Sequence, residues 1–156
     1  MKKSIKYQII FAIISLAVGG LAAIFIRNYT DMYNMLNKPV LSPPQIVFPI
    51  VWTILYILMG VGVGLVISAP RNANNKSDAI VNYAIQLLAN FLWSIWFFNL
   101  SQYKLSFVWI ILLLILVIFM TKSFYKISKP ASLIQIPYII WLVFAAYLNL
   151  FIALKN

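Results

Sequence analysis

The placement of charge constrains this chain more than any other feature. Twelve Lys and Arg and two Asp are spread over 156 residues, yet they leave five long stretches without a single charge. Each is long enough, or nearly so, to cross a hydrocarbon core that takes about 20 apolar residues. The spacing predicts spans at 7–26, 46–69, 79–100, 105–121 and 131–154, the fourth being the shortest with 17 residues between Lys104 and Lys122. A chain that is 64% hydrophobic, with a mean hydropathy of +0.97, has too little polar surface to cover a soluble globule of this size. The expected fold is an all-α integral membrane protein, a single domain over residues 1–156 forming a bundle of five transmembrane helices. The first stretch follows "MKKSIK" and contains "GGLAA", the outline of a signal peptide, but its apolar region is too long for one and it reads as a helix.

The net charge of +10 does not form a basic stripe. The Lys and Arg residues sit between the apolar runs, where the lipid bilayer and its anionic headgroups account for them and no nucleic-acid partner is implied. Eight of them (Lys2, Lys3, Lys6, Arg71, Lys76, Lys122, Lys126, Lys129) fall on the side of the amino terminus, and four (Arg27, Lys38, Lys104, Lys155) on the other. That bias predicts a cytoplasmic amino terminus and an outer first loop, in a cell membrane. There is no His and no Cys, which removes the usual zinc, iron–sulfur and thiolate sites and the familiar Ser-His and Cys-His nucleophiles. No metal site is expected. Asp31 and Asp78 are the only acids and lie in different connections, so paired-carboxylate chemistry is not expected either. No phosphate-cradling Gly loop is present.

Polar side chains inside spans are costly in lipid, so they mark where to look. Gln86, Asn90, Trp93 and Phe97 fall on one face of the third helix; Tyr138, Trp141, Ala145 and Asn149 share a face of the fifth; Trp52, Leu55, Tyr56 and Met59 share one on the second. With the predicted orientation, the tryptophans at 52, 93 and 141 sit in the outer half, beneath the first loop. Helix glue and interfacial belts are the plain alternatives, and the belt is the favoured reading for Trp96 and Trp109 near span ends. The first loop carries Pro39, Pro43 and Pro44, with Pro49 placed to enter the first turn of the second span. Such a run restricts the backbone before anything binds, which suits a stiff lid over an aromatic pocket. "GVGVG" at 60–64 contains a GxxxG, read as a close helix-packing face, with dimerisation through it as the other reading.

Four motifs together resemble the translocator protein family, the TspO or tryptophan-rich sensory proteins. These are "GG" at Gly19 and Gly20, "YNMLNKP" with "SPPQIVFPIVWTILYILMG" over 33–60, "QLLANFLWSIWFF" over 86–98, and "PYIIWLVFAAYLN" over 137–149. The resemblance implies a five-helix membrane bundle, often a homodimer, with an aromatic cavity closed by the first loop. It implies binding of porphyrins such as protoporphyrin IX and haem, and of other hydrophobic drug-like small molecules. Carried to matching positions, the ligand site is Tyr33, Pro43, Trp52, Tyr56, Asn90, Trp93, Trp141, Phe144, Ala145 and Asn149; Phe97 and Tyr138 join them from the helical faces. Some bacterial relatives are credited with light-dependent porphyrin breakdown, which would give Trp52 and Trp141 catalytic roles. The chain departs from the family at Met32 and at Val40-Leu41, where the family often has Trp and Ser-Trp. Its Leu148-Asn149-Leu150-Phe151 also lacks the Tyr of the vertebrate sterol motif, so sterol transport is not expected.

The leading expectation is a membrane-embedded binding protein or sensor for tetrapyrroles, with no cofactor required and the porphyrin as ligand. Metal-free porphyrin suits the chain better than haem, whose commonest axial ligands are missing. Lys38 and Arg27, by charge, are placed to meet propionates at the mouth. Photo-oxidative porphyrin degradation is the enzymatic alternative. Transport is the third, and neither an intramembrane coupling charge nor an internal repeat supports it.

Overall fold

The computed structural model describes residues 2–26, 29–70 and 76–156. Arg27 and Arg71, used above for propionate pairing and for orientation, lie outside the described residues. Among the described residues, five helical stretches are long and apolar enough to cross a membrane. They are α1 (Lys2–Phe25), α3 (Val47–Ser68), α4 (Lys76–Ser94) with the π-helical turn Ile95–Asn99 that continues it, α5 (Tyr103–Tyr125), and the pair α6 (Lys129–Leu133) and α7 (Ile136–Lys155). A short helix, α2 (Tyr29–Met35), lies in the first loop. All-helical spans follow from the solvent: lipid offers no partner for a backbone N–H or C=O, so each must bond within its own segment.

Span ends differ from the sequence boundaries where charge was taken as the terminator. The fourth helix begins at Tyr103 and runs past Lys122 to Tyr125. A Lys at a helix end extends its ammonium to the headgroups while its stem stays apolar, so helix continues through it. Lys76 acts differently, donating to the carbonyls of Ile67 at 3.0 Å and of Ala69. It thus satisfies the C-terminal end of α3, where a cation is favoured.

Helix α1 packs along α3, α3 faces α7 through aromatic side chains, α7 packs on α5, α5 on α4, and α4 returns to α1. The GxxxG pair explains the first contact. A Cβ on Gly60 would fall on the backbone of Phe11 and Ala12, and one on Gly64 on that of Tyr7 and Gln8. The small residues therefore let α1 approach α3 within one chain, which uses this face for intramolecular packing rather than for a second copy. Ser15 and Tyr83 pair at 2.6 Å to tie α1 to α4. Between α4 and α5, Asn82 donates to the Ser123 hydroxyl at 2.7 Å and the Trp109 indole to the Ala89 carbonyl at 2.8 Å. Trp109 thereby ties α5 to α4.

The fifth span is broken at Ile134 and Gln135. Ser128 caps α6 by accepting from the Ala131 N–H at 3.4 Å, and Pro130 sits in the first turn, where its missing N–H costs little. Gln135, fully buried, donates to the Leu58 carbonyl at 2.9 Å and so pins the break onto α3.

Candidate functional site

The first loop is fastened at three points. Tyr33 of α2 is buried, donates its hydroxyl to the Pro43 carbonyl at 3.0 Å, and sets its ring edge-on to Phe48 at 5.2 Å. Lys38 lies over the same ring at 4.6 Å and donates to the carbonyls of Tyr33, Leu36 and Asn34 at 2.5, 3.2 and 3.5 Å. Its three N–H groups are therefore used at the end of α2, and none is left for a propionate. The third fastening is an amide clasp: the Asn37 N–H donates to the Asn156 side-chain oxygen at 2.9 Å, and Asn156 donates back to the Asn37 carbonyl at 3.0 Å. The loop thus closes the end of the bundle at which α7 finishes. Burial pushes the Tyr33 phenol above its ordinary pKa, with the Ser42 hydroxyl opposing the shift.

Beneath the loop the aromatic rings form a connected set. Phe48 joins Tyr33 to Trp141 at 5.9 Å, and Trp141 meets Phe144 at 5.5 Å. Trp52 touches Tyr56 at 5.9 Å, Trp93 at 5.9 Å and Tyr138 at 6.2 Å; Trp93 stacks on Phe97 at 5.6 Å. Offset and edge-on arrangements of this kind contribute beyond simple area burial.

Two polar threads run through the rings. Tyr56 donates to the Asn90 oxygen at 2.9 Å, the Asn90 amide donates to the Tyr138 hydroxyl at 2.7 Å, and Tyr138 donates to the Gln86 oxygen at 3.0 Å. Trp93 donates to the Asn149 oxygen at 3.1 Å, and Asn149 donates to the Tyr103 carbonyl at 2.9 Å. Each amide thereby meets the requirement that a buried polar group be paired. The Trp141 indole N–H, by contrast, is buried and has no partner; elsewhere in the bundle the same holds for the Trp96 indole N–H and the Gln135 side-chain oxygen.

Free space is distributed unevenly. Under the loop, among Tyr33, Phe48, Trp93, Phe97, Ala145 and Asn149, only about 20 Å³ remains open. A cavity of about 380 Å³ lies instead toward α1, bounded by Gly19, Gly20 and Ala23, by Phe48, Trp52 and Tyr56 of α3, and by Ser94 and Phe98. Phe48 and Phe98 line both spaces and separate them.

All twelve sequence-derived ligand residues lie at the loop-covered end or in the aromatic core beneath it, from Pro43 in the loop to Tyr138 in the buried thread. Sequence reasoning missed Phe48, Phe98 and the backbone carbonyl of Tyr103. Phe48 was legible one turn ahead of Trp52; the Tyr103 carbonyl carries no sequence signal. The π turn was also missed: the Leu100 N–H bonds to Ile95 at 3.0 Å and the Gln102 N–H to Trp96 at 2.9 Å, five and six residues back. Among the described residues no cluster of three metal-ligating side chains occurs.

An integral membrane protein built from five helices, with a looped end fastened over a buried aromatic chamber, is the class these features define. Over residues 11–154 the sequence matches the model of the TspO/MBR family. It is 39% identical over 142 residues to the tryptophan-rich protein TspO of Chlorobaculum tepidum, covering 90% of each chain. It is 38% identical to the protein of the same name from Archaeoglobus fulgidus, covering 90% of this chain and 91% of the other. To the translocator protein of Homo sapiens it is 32% identical, over 75% of this chain and 70% of the other. The chain belongs to the TspO/MBR family.

Proposed function

We propose that the chain is a membrane-embedded binding protein or sensor for porphyrins, protoporphyrin IX foremost, and for other flat hydrophobic molecules, held in the aromatic chamber beneath the first loop. The observation that carries this reading is the buried, unpartnered N–H of Trp141 set among aromatic faces. A ligand that stacks on those faces and offers an acceptor supplies the missing bond, and a mostly apolar site with a few placed polar groups is what small-molecule pockets require. Because little space is open under the loop, binding displaces ring-on-ring contacts, Phe48 first, and replaces them with ring-on-ligand contacts of similar kind. Relatives named tryptophan-rich sensory protein and translocator protein accord with a ligand-responsive role.

The test is a dark titration of the detergent-solubilised protein with protoporphyrin IX, following tryptophan quenching, beside an Asn90→Ala, Trp141→Phe double variant. Saturable quenching that weakens in the variant is expected. Equal, non-saturating quenching in both would mean that porphyrin only partitions into the micelle. A second reading, light-dependent porphyrin breakdown, draws on the contact of Trp52 with Trp93 and Tyr138, which gives an oxidised indole aromatic neighbours. Illumination that yields a product absent with free porphyrin, and lost in Trp52→Phe while binding persists, is the outcome it requires.

A further inference from the structure

The larger of these two spaces is not under the loop, and its chemistry differs from that of the aromatic chamber. It is flanked by α1 and α3 at membrane depth, in the half of the span nearest the first loop. Its rim residues Gly20, Ala23, Pro49 and Thr53 are exposed on the outer surface of the bundle, so it opens sideways. In a spanning helix pair, that direction is hydrocarbon.

The three hydroxyls of the lining are already turned away from the space as donors. Thr53 donates to the Pro49 carbonyl at 2.7 Å, Ser94 to the Asn90 carbonyl at 3.2 Å, and Tyr56 to the Asn90 side chain at 2.9 Å. Among the described residues no charged side chain borders it. Water needs several polar partners to reside in a buried site, and cavities that lack them stay dry. An empty apolar void forfeits the contacts of its walls. A space of about 380 Å³ that is dry, uncharged and open to lipid is filled most favourably by hydrocarbon. We propose that this cavity is a binding site for one acyl chain of a membrane lipid, which lies against Trp52. The occupant is set by the lining: among the described residues it offers no cation to a porphyrin's carboxylates.

Trp52 borders this cavity and also touches Trp93 and Tyr138 in the chamber, so its indole reports the occupant. The protein is reconstituted in nanodiscs of phosphatidylcholine brominated part-way along one acyl chain and compared with unbrominated discs. Bromine quenches indoles on contact, and subtracting the emission of Trp52→Phe isolates the contribution of Trp52. Most of that contribution is expected to be lost in brominated discs. Gly20→Leu, where an added Cβ meets no atom within 4 Å, narrows the rim and restores it; Ala23→Leu does the same from the next turn. The proposal is overturned if Trp52 is unquenched by brominated chains, if neither filling variant relieves the quenching, or if aqueous iodide quenches Trp52 instead.

Discussion

Replacing Asn90 with Leu keeps approximate volume while removing two of the three hydrogen bonds of the central thread, so the loss is almost purely polar. Asn90 is fully buried, and its oxygen accepts from Tyr56 while its amide donates to Tyr138. Tyr56 has no other acceptor, and a buried donor left without one costs about 1–3 kcal/mol. Tyr138 loses a donor but still donates to Gln86 at 3.0 Å, so its share is nearer the about 0.6 kcal/mol typical of hydrogen bonds between membrane helices. The sum is about 2 kcal/mol, or about thirty-fold in the folding equilibrium. Reversible unfolding in mixed detergent–SDS micelles reads this directly. Adding Tyr56→Phe removes the stranded hydroxyl and returns about 1 kcal/mol, because deleting both partners is milder than deleting one. A cost for Asn90→Leu below about 0.5 kcal/mol, or a double variant as destabilised as the sum of the singles, would refute the thread as a stabilising unit.

Gly60→Val drives a side chain into the backbone of Phe11 and Ala12 and costs at least the about 1–3 kcal/mol of overpacking, whereas Gly20→Ala meets no neighbour and gains up to about 1 kcal/mol of helix propensity; thermal unfolding of the pair separates close packing from mere helix content. Asn156→Ala removes the side chain that accepts from the Asn37 N–H and donates to the Asn37 carbonyl, taking away roughly 1 kcal/mol of loop closure, so amide hydrogens of the first loop exchange about five-fold faster while those of α5 do not change. Because burial raises the Tyr33 pKa above the usual 10.0, the folded loop holds its proton where the released loop has lost it. Loop closure is therefore undiminished below pH 10 and weakens as pH rises beyond it, a trend that Tyr33→Phe flattens in the same exchange measurement.

Much of this was legible because lipid is a strict solvent. Charge gaps located the five spans to within a few residues, and helical spacing placed Gln86, Asn90, Trp93 and Phe97 on a face that is indeed buried. The same spacing could not say that Asn90 would meet Tyr56 and Tyr138 together, since periodicity fixes a residue's face but not the facing helix. It also could not distinguish a GxxxG that pairs two chains from one that admits α1. The π turn and the break at Gln135 escaped for a different reason: each depends on which backbone carbonyls find outside donors, a property of the assembled bundle.

The amide clasp between Asn37 and Asn156 joins positions 119 residues apart. That separation gives the molecule an order of assembly. The α1–α3 contact, made by residues within the first 64 positions, is available as soon as two spans have entered the bilayer. The loop between them can make its own internal contacts then, but the clasp to the far end of the chain needs Asn156 and the crossing of α7. Full fastening of the cover over the chamber therefore waits on the last of the five spans.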